Sequence, residues 1–138
     1  MKKRGYGLSP ILFSSRYGRR IDRLRADADP FLELAAASEL WEPVTCGMVM
    51  LEVLRGVRHA REFASYRETF AVMECVPATN RIWESATDLL RALQRRGVTI
   101  PPLDAIIAAC ARSIDAAVLT FDEHFRAIPK MLVLDSLA

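Results

Sequence analysis

The sequence predicts an α/β domain with a mainly parallel central sheet and helices on both of its faces. Short apolar runs typical of buried strands alternate along the chain with longer segments whose apolar residues recur at helical spacing. This alternation favours parallel pairing of the strands, and right-handed crossovers then distribute the helices over both faces. Because the chain has 138 residues, the usual size of one domain, we expect a single domain over residues 1–138.

Five short apolar runs, most of them bounded by polar residues or proline, are the predicted strands. They span residues 10–13, 43–46, 74–76, 117–122 and 131–134. The fourth run ends in a carboxylate, Asp122. In a parallel sheet the residues just past the carboxyl ends of the strands line the functional crevice, so this end of the sheet is where we expect a site.

Helical periodicity and capping residues define the predicted helices. Asp29 followed by Pro30 is a favourable N-cap and first-position pair, and Gly97 is well placed to end a long helix. The helices are expected over a basic segment up to Arg25, over residues 31–40, 48–58, 59–73 and 80–96, and from residue 103 onward. In two of them we expect one buried stripe each, formed by Met50, Val53, Leu54 and Val57, and by Leu103, Ile107, Cys110, Ala111 and Ile114.

Charge is distributed unevenly along the chain. The 19 Lys and Arg against 17 Asp and Glu leave a net charge of +2, too small to indicate a partner by itself. Basic residues crowd the first 25 positions, where Asp22 is the only acid: Lys2, Lys3, Arg4, Arg16, Arg19, Arg20, Arg23 and Arg25. Such a cluster can bind phosphate backbones, and it can equally be a solvated helix face with a basic tail.

The remaining composition predicts a cytoplasmic protein with no membrane segment. No apolar run approaches the roughly 20 residues that span a bilayer, and no apolar segment typical of a secretory signal follows the basic start of the chain. Cys46, Cys75 and Cys110 are odd in number, widely spaced and set among apolar residues. They indicate small core residues in a reducing compartment and neither a disulfide framework nor a zinc site.

Three carboxylates fall at positions that together predict a metal site. Asp104 lies in the first turn of a helix that Pro101 and Pro102 introduce, where free N–H groups and the helix dipole favour negative charge. Asp122 ends a predicted strand, and Glu52 lies off the apolar stripe of the helix that follows the second strand. Oxygen ligands suit Mg²⁺ or Mn²⁺, and such an ion can activate water at a phosphodiester.

Each residue also has an ordinary structural explanation. Glu52 could be a solvated helix residue, Asp104 could only complement the helix dipole, and Asp122 could cap the short turn that follows it. His59 and His124 stand far apart in sequence without the spacing of metal ligands, so we interpret both as polar surface groups. The metal site therefore depends on the combination of acids.

The segments that carry these acids resemble successive motifs of PIN-domain ribonucleases of the VapC toxin type. Residues 50–56, with the sequence MLEVLRG, resemble the second acidic motif. Residues 96–109 resemble the third motif and residues 119–125, LTFDEHF, the fourth. The resemblance covers about residues 30–135 in order and spacing, and three motifs in register are far more specific than any one alone.

The resemblance implies a compact three-layer α/β/α sandwich and a Mg²⁺-dependent endoribonuclease. It implies a toxin of a toxin–antitoxin pair, with RNA as substrate, a cognate antitoxin as partner and a homodimer as the assembly. It assigns Glu52, Asp104 and Asp122 as catalytic and metal-binding acids, and Thr120 as the hydroxyl that accompanies them.

One motif of the family is missing from this chain. The family begins with a strand that ends in Asp, usually followed by Thr or Ser, whereas no acid precedes Asp22 here. Depending on the register, Gly7, Phe13 or Ser14 takes that place, and Phe13 fits the local pattern best. The ion would lose one ligand, so we expect the fold to be kept and the activity to be weakened.

Two other functions remain open at this point. A catalytically degenerate PIN domain could serve as a module that binds RNA or an antitoxin, and the absent acid supports this alternative. A receiver-like α/β regulator with an acidic pocket is less favoured, because such domains cluster acids at the first strand, where this chain has none.

Overall fold

A five-stranded parallel sheet forms the centre of the protein, as the sequence predicts. The computed structural model describes residues 9–13, 40–120 and 122–135. Its strands are β1 (Ser9–Phe13), β2 (Trp41–Cys46), β3 (Glu74–Val76), β4 (Ala117–Leu119) and β5 (Val133–Leu134). They lie in the order β3-β2-β1-β4-β5, and each neighbouring pair is parallel. The fourth strand ends at Leu119, so Asp122 lies beyond its end.

Four α-helices and one short 3₁₀ helix connect the described strands. They are α1 (Gly47–Leu54), α2 (Ala60–Val72), α3 (Asn80–Arg95), α4 (Pro102–Ser113) and the 3₁₀ turn Glu123–Ala127. Within the described residues, no helix is long and apolar enough to cross a membrane. The predicted helix over the basic segment lies outside the described residues, and so does the helix over residues 31–40 apart from Leu40, which lies in a turn.

Helix α1 ends four residues earlier than the sequence predicts. Its last turn tightens, because Gly56 N–H donates to the carbonyl of Val53 at 3.2 Å and Val57 N–H donates to that of Leu54 at 3.2 Å. Bonds of this three-residue spacing are typical of helix ends. Helix α1 therefore ends at Leu54, and the next helix, α2, begins at Ala60.

Both faces of the sheet are covered. Ile11, Leu12 and Phe13 are consecutive residues of β1 and each is 0% exposed, although successive side chains of a strand point to opposite faces. The β2–β3 and β3–β4 connections run in opposite directions across the sheet, so right-handed crossovers place α2 and α3, the longest helices of these connections, on opposite faces. On one face, the ring of Phe13 stacks on Phe70 of α2 with centroids 6.2 Å apart.

The middle of helix α4 is buried on all sides and not along a single stripe. Every residue from Asp104 to Ala111 is buried, whereas Leu103 is 39% exposed. The helix packs against α3, α1 and β4, and its alanines allow these elements to approach closely. The predicted one-sided stripe is wrong in two ways: Leu103 is exposed at the start of the helix, and residues off the stripe are buried because neighbours cover the middle of the helix from several directions.

The cysteines divide between the core and the surface. Cys46 and Cys110 are buried, while Cys75 is exposed, so the prediction of three core thiols is wrong for Cys75. It lies on β3 at the edge of the sheet, where only Val76 turns inward. A hydrogen bond from Cys110 lowers the pKa of Cys46 to about 7, and the same contact together with burial raises the pKa of Cys110.

Gly97 ends α3 in a conformation that favours glycine. Its φ is +76°, its N–H donates to the carbonyl of Gln94 at 2.9 Å, and the N–H of Val98 donates to that of Leu93 at 2.9 Å. This pair of bonds is the Schellman motif, in which the residue after the cap adopts a left-handed conformation. The sequence prediction of a C-terminal cap at Gly97 is therefore confirmed.

We expect Gly97→Ala to lower the free energy of unfolding by about 1 kcal/mol, because a Cβ is strained in the left-handed region. Gly47→Ala is the matched control. Gly47 opens α1, and an added Cβ there meets no atom within 4 Å, so this substitution should be neutral or slightly stabilising. Urea denaturation of both variants measures the difference; equal destabilisation would contradict this account of the cap.

Candidate metal centre

Asp104 and Asp122 meet at the edge of the sheet where β4 ends. Asp104 lies in the first turn of α4 and Asp122 follows β4 at the start of the 3₁₀ helix, and these two helices pack together. Both carboxylates are shielded, since the side chain of Asp104 is 10% exposed and that of Asp122 is 6% exposed. The structure thus brings two of the three predicted acids together.

A short series of local hydrogen bonds orients Asp122. The backbone N–H of Asp122 donates to the hydroxyl of Thr120 at 3.0 Å, and the N–H of His124 donates to Asp122 Oδ1 at 3.1 Å. Thr120 is buried, with 2% exposure. Turns of this kind form because hydroxyl and carboxylate side chains accept hydrogen bonds from nearby backbone donors. Thr120 therefore shapes the turn that carries Asp122, and its catalytic role stays a prediction.

The start of α4 orients Asp104. Pro102 occupies the first turn without losing a hydrogen bond, since donors there have no partner within the helix. The N–H of Asp104 donates to the carbonyl of Pro101 at 3.0 Å. This arrangement holds the carboxylate at the positive end of the helix dipole, where negative charge is stabilised.

His124 lies between the two acids, although its isolated position in the sequence predicts only a polar surface group. Its Nδ1 lies 2.9 Å from Asp122 Oδ1 and 3.4 Å from Asp104 Oδ2. One ligand atom from each of these residues lies within 4.8 Å of the others. The side chain is 41% exposed, so the surface assignment was incomplete. The available signal was its position two residues after an acid that caps a turn.

Glu52 is buried but does not belong to the group formed by Asp104, Asp122 and His124. It is 7% exposed on the inward face of α1, together with Val49 and Val53, and Arg55 Nη2 lies 3.3 Å from its Oε2. Helix α1 packs against α4, so Glu52 stands on a neighbouring element. Its metal-binding role stays a prediction.

The inward face of α1 differs from the predicted stripe. Met50, Leu54 and Val57 are only partly buried, while Leu51 is 60% exposed. Of the predicted set only Val53 is fully buried. The packing of α1 against α4 and β2 decides which face of the helix turns inward. Glu52 lies on that face, although the apolar periodicity of the sequence places it off the buried stripe.

Of the three positions that could correspond to the missing acid, Phe13 is the one within the described residues. This residue ends β1, its Cα pairs with that of Leu119 in β4, and its ring is fully buried against Phe70. Gly7 and Ser14, the other two positions considered, lie outside the described residues, as do all the basic residues of the first 25 positions. The described end of β1 therefore contributes an aromatic ring to the core.

The donor set at this edge fits a divalent cation. Two carboxylates and an imidazole supply oxygen and nitrogen ligands of the kinds that bind Mg²⁺, Mn²⁺ and later divalent metals. Two carboxylates held close together also repel each other, and an ion between them relieves that repulsion. The residues thus form a candidate metal centre.

Residues 20–131 match the sequence model of the PIN domain. The match covers most of the chain, and the chain belongs to the PIN-domain family. The resemblance found in the sequence motifs is thereby confirmed at the level of the family.

Solved structures with the same fold come from toxin–antitoxin complexes. A DNA-bound VapBC of Salmonella typhimurium is 14% identical, with a TM-score of 0.73 and coverage of 95% of this chain and 100% of that one. VapBC-1 of nontypeable Haemophilus influenzae is 16% identical, with a TM-score of 0.72 over 91% and 97%. VapBC-5 of Mycobacterium tuberculosis, a member of the VapBC family of toxin–antitoxin systems, is 18% identical, with a TM-score of 0.62 over 91% and 97%. No protein with a curated description matches the sequence.

We expect Mn²⁺ to raise the melting temperature of the unaltered protein and Asp104→Asn to lose most of that rise. Ligand binding to the native state stabilises it by about 2.7 kcal/mol at roughly a hundred times its Kd, and the neutral amide is a much weaker ligand. Asp88→Asn, an exposed acid on α3, is the control and should keep the full rise. An equal rise in both variants would exclude Asp104 as a ligand.

Proposed function

We propose that this protein is a metal-dependent endoribonuclease that acts as the toxin of a toxin–antitoxin pair, in a single domain. The supporting observation is the pair of shielded carboxylates, Asp104 and Asp122, at the carboxyl end of the sheet in a PIN-domain fold. The proposal includes a weakened activity, because the first acid of the family pattern is absent from the start of the chain.

In this proposal Asp104, Asp122 and Glu52 hold Mg²⁺ or Mn²⁺ at the site. When bound, such an ion activates water and neutralises charge at a phosphodiester. Thr120 keeps the turn after β4 in the conformation that directs Asp122 towards Asp104. The shielding of both carboxylates strengthens their interaction with a cation, because less water competes for the charges.

We propose RNA as the substrate, and a cognate antitoxin and a second copy of the chain as partners. The structural neighbours from VapBC toxin–antitoxin systems support the antitoxin. An antitoxin is expected to cover apolar surface on the helices between residues 31 and 73. Tyr66 and Phe70 are buried in the core. In the described part of that region the large apolar residues left at the surface are Leu40, Leu51, Phe63 and Val72, at 70%, 60%, 36% and 86% exposure.

A catalytically degenerate module that binds RNA or an antitoxin is the second candidate. Phe13 favours it, because the residue that best fits the missing acid is a fully buried ring stacked on Phe70. A carboxylate buried there would need an ion or hydrogen bonds to compensate for its desolvation. The two candidates differ in one measurable property, which is cleavage of RNA.

We expect the unaltered protein to cleave RNA weakly in the presence of Mn²⁺ and Asp122→Asn to abolish that cleavage. A missing ligand positions the attacking water less well, and small misplacements cost about a hundredfold in rate. Gel assays on varied RNAs measure the rate, and Asp88→Asn is again the control. Robust cleavage by the unaltered protein would show that the remaining acids suffice for catalysis.

We expect one of Phe13→Asp, Ser14→Asp and Gly7→Asp to raise the cleavage rate by restoring the first acid. Phe13→Asp also removes a fully buried ring from the core, where large-to-small changes cost about 3 kcal/mol or more. Each variant is therefore melted before its activity is compared. If all three are folded and none cleaves any RNA with metal present, the binding module replaces the ribonuclease as the conclusion.

A further inference from the structure

The imidazole of His124 lies between the two carboxylates of the candidate metal centre. Its Nδ1 is 2.9 Å from Asp122 Oδ1 and 3.4 Å from Asp104 Oδ2. The backbone of His124 is held by the same Asp122 carboxylate at 3.1 Å. Asp122 therefore holds the imidazole ring of His124 in place, and Asp122 is also one of the acids that would bind the ion.

These separations match those of ligands on one metal ion. Ligands about 2.1 Å from an ion lie roughly 3.0 Å apart at neighbouring octahedral positions and roughly 3.4 Å apart in a tetrahedron. The two measured nitrogen–oxygen distances, 2.9 and 3.4 Å, fall at these values. One ligand atom of each of the three residues lies within 4.8 Å of the other two. Hydrogen bonds from Nδ1–H to the carboxylates explain the same distances, so the experiment must separate the two.

A nitrogen ligand changes the class of ion that the site prefers. Mg²⁺ prefers oxygen ligands in a nearly ideal octahedron and keeps several waters. Imidazole suits the first-row transition metals, whose affinity for nitrogen-containing sites rises from Mn²⁺ towards Cu²⁺. A site built only of carboxylates would accept Mg²⁺ readily, whereas two carboxylates with an imidazole favour a transition metal.

We propose that His124 is a nitrogen ligand of the ion held by Asp104 and Asp122, and that the site therefore binds transition-metal divalent ions such as Mn²⁺ and Co²⁺ in preference to Mg²⁺. This inference rests on the metal centre of the proposed function and adds one ligand and a metal class. His124 then contributes a ligand in a chain whose first acid is missing.

Pulsed electron paramagnetic resonance of the Mn²⁺-loaded protein tests the nitrogen directly. The chain has two histidines, and His59 is exposed at the start of α2, which makes His59→Ala a matched control. The protein is purified without a histidine tag. We expect the nuclear coupling of a bound imidazole nitrogen in the unaltered protein and in His59→Ala, and its loss in His124→Ala.

Calorimetric titration with Mg²⁺, Mn²⁺ and Co²⁺ tests the preference. We expect Mn²⁺ and Co²⁺ to bind the unaltered protein at least tenfold more tightly than Mg²⁺. In His124→Gln their affinities should fall towards that of Mg²⁺, because the nitrogen ligand is lost, while that of Mg²⁺ changes little. If His124 only held the carboxylates in place, the affinities of all three ions would fall together.

The outcomes separate this inference from the proposed function, because neither readout uses RNA. Bound Mn²⁺ without nitrogen coupling, coupling that persists in His124→Ala, or no binding of Mn²⁺ at all would each overturn the ligand assignment. RNA cleavage without nitrogen coupling would leave the ribonuclease intact and remove His124 from the site. Nitrogen coupling without RNA cleavage would keep the ligand and argue against the ribonuclease.

Discussion

Helix α4, which is buried from Asp104 to Ala111, fixes the position of the site. Its middle turns are built of alanine, isoleucine and cysteine, so neighbouring elements can close around it. A helix packed in this way has little freedom to shift, because protein interiors are close-packed. Its first turn is therefore held beside the end of β4, and Asp104 remains buried enough for its charge to act strongly on nearby groups.

The second half of the site is assembled locally. Thr120, Asp122 and His124 follow one another at alternate positions, and each backbone donor in the series meets the side chain two residues earlier. Such a turn needs no distant contact to form. The distant contact is the one between His124 and Asp104, twenty residues apart in sequence, and it exists because the 3₁₀ helix packs on α4. The site thus consists of the first turn of α4, which carries Asp104, and the locally hydrogen-bonded turn that carries Asp122 and His124.

At the end of β1, Phe13 occupies a position that can serve either the hydrophobic core or the candidate metal centre. An acid at the end of β1 would add charge at the edge of the sheet where β4 ends. Phe13 instead adds a fully buried ring that stacks on α2, which favours folding through apolar burial. The chain therefore keeps a well-packed sheet, and the groups at the candidate metal centre come from α4 and the turn after β4.

The amino-acid sequence alone predicts the features that depend on local spacing. It predicted the parallel α/β class, the strand at residues 74–76, the Gly97 cap and the placement of Asp104 and Asp122 at element ends, because periodicity, capping and proline act over a few residues. The packing of distant segments decided which face of α1 turns inward with Glu52, that α4 is buried from Asp104 to Ala111, and that Cys75 stays at an exposed edge. It also decided that His124 meets Asp104. These features follow from strand order and from helix packing between distant segments, and local patterns carry no information about either.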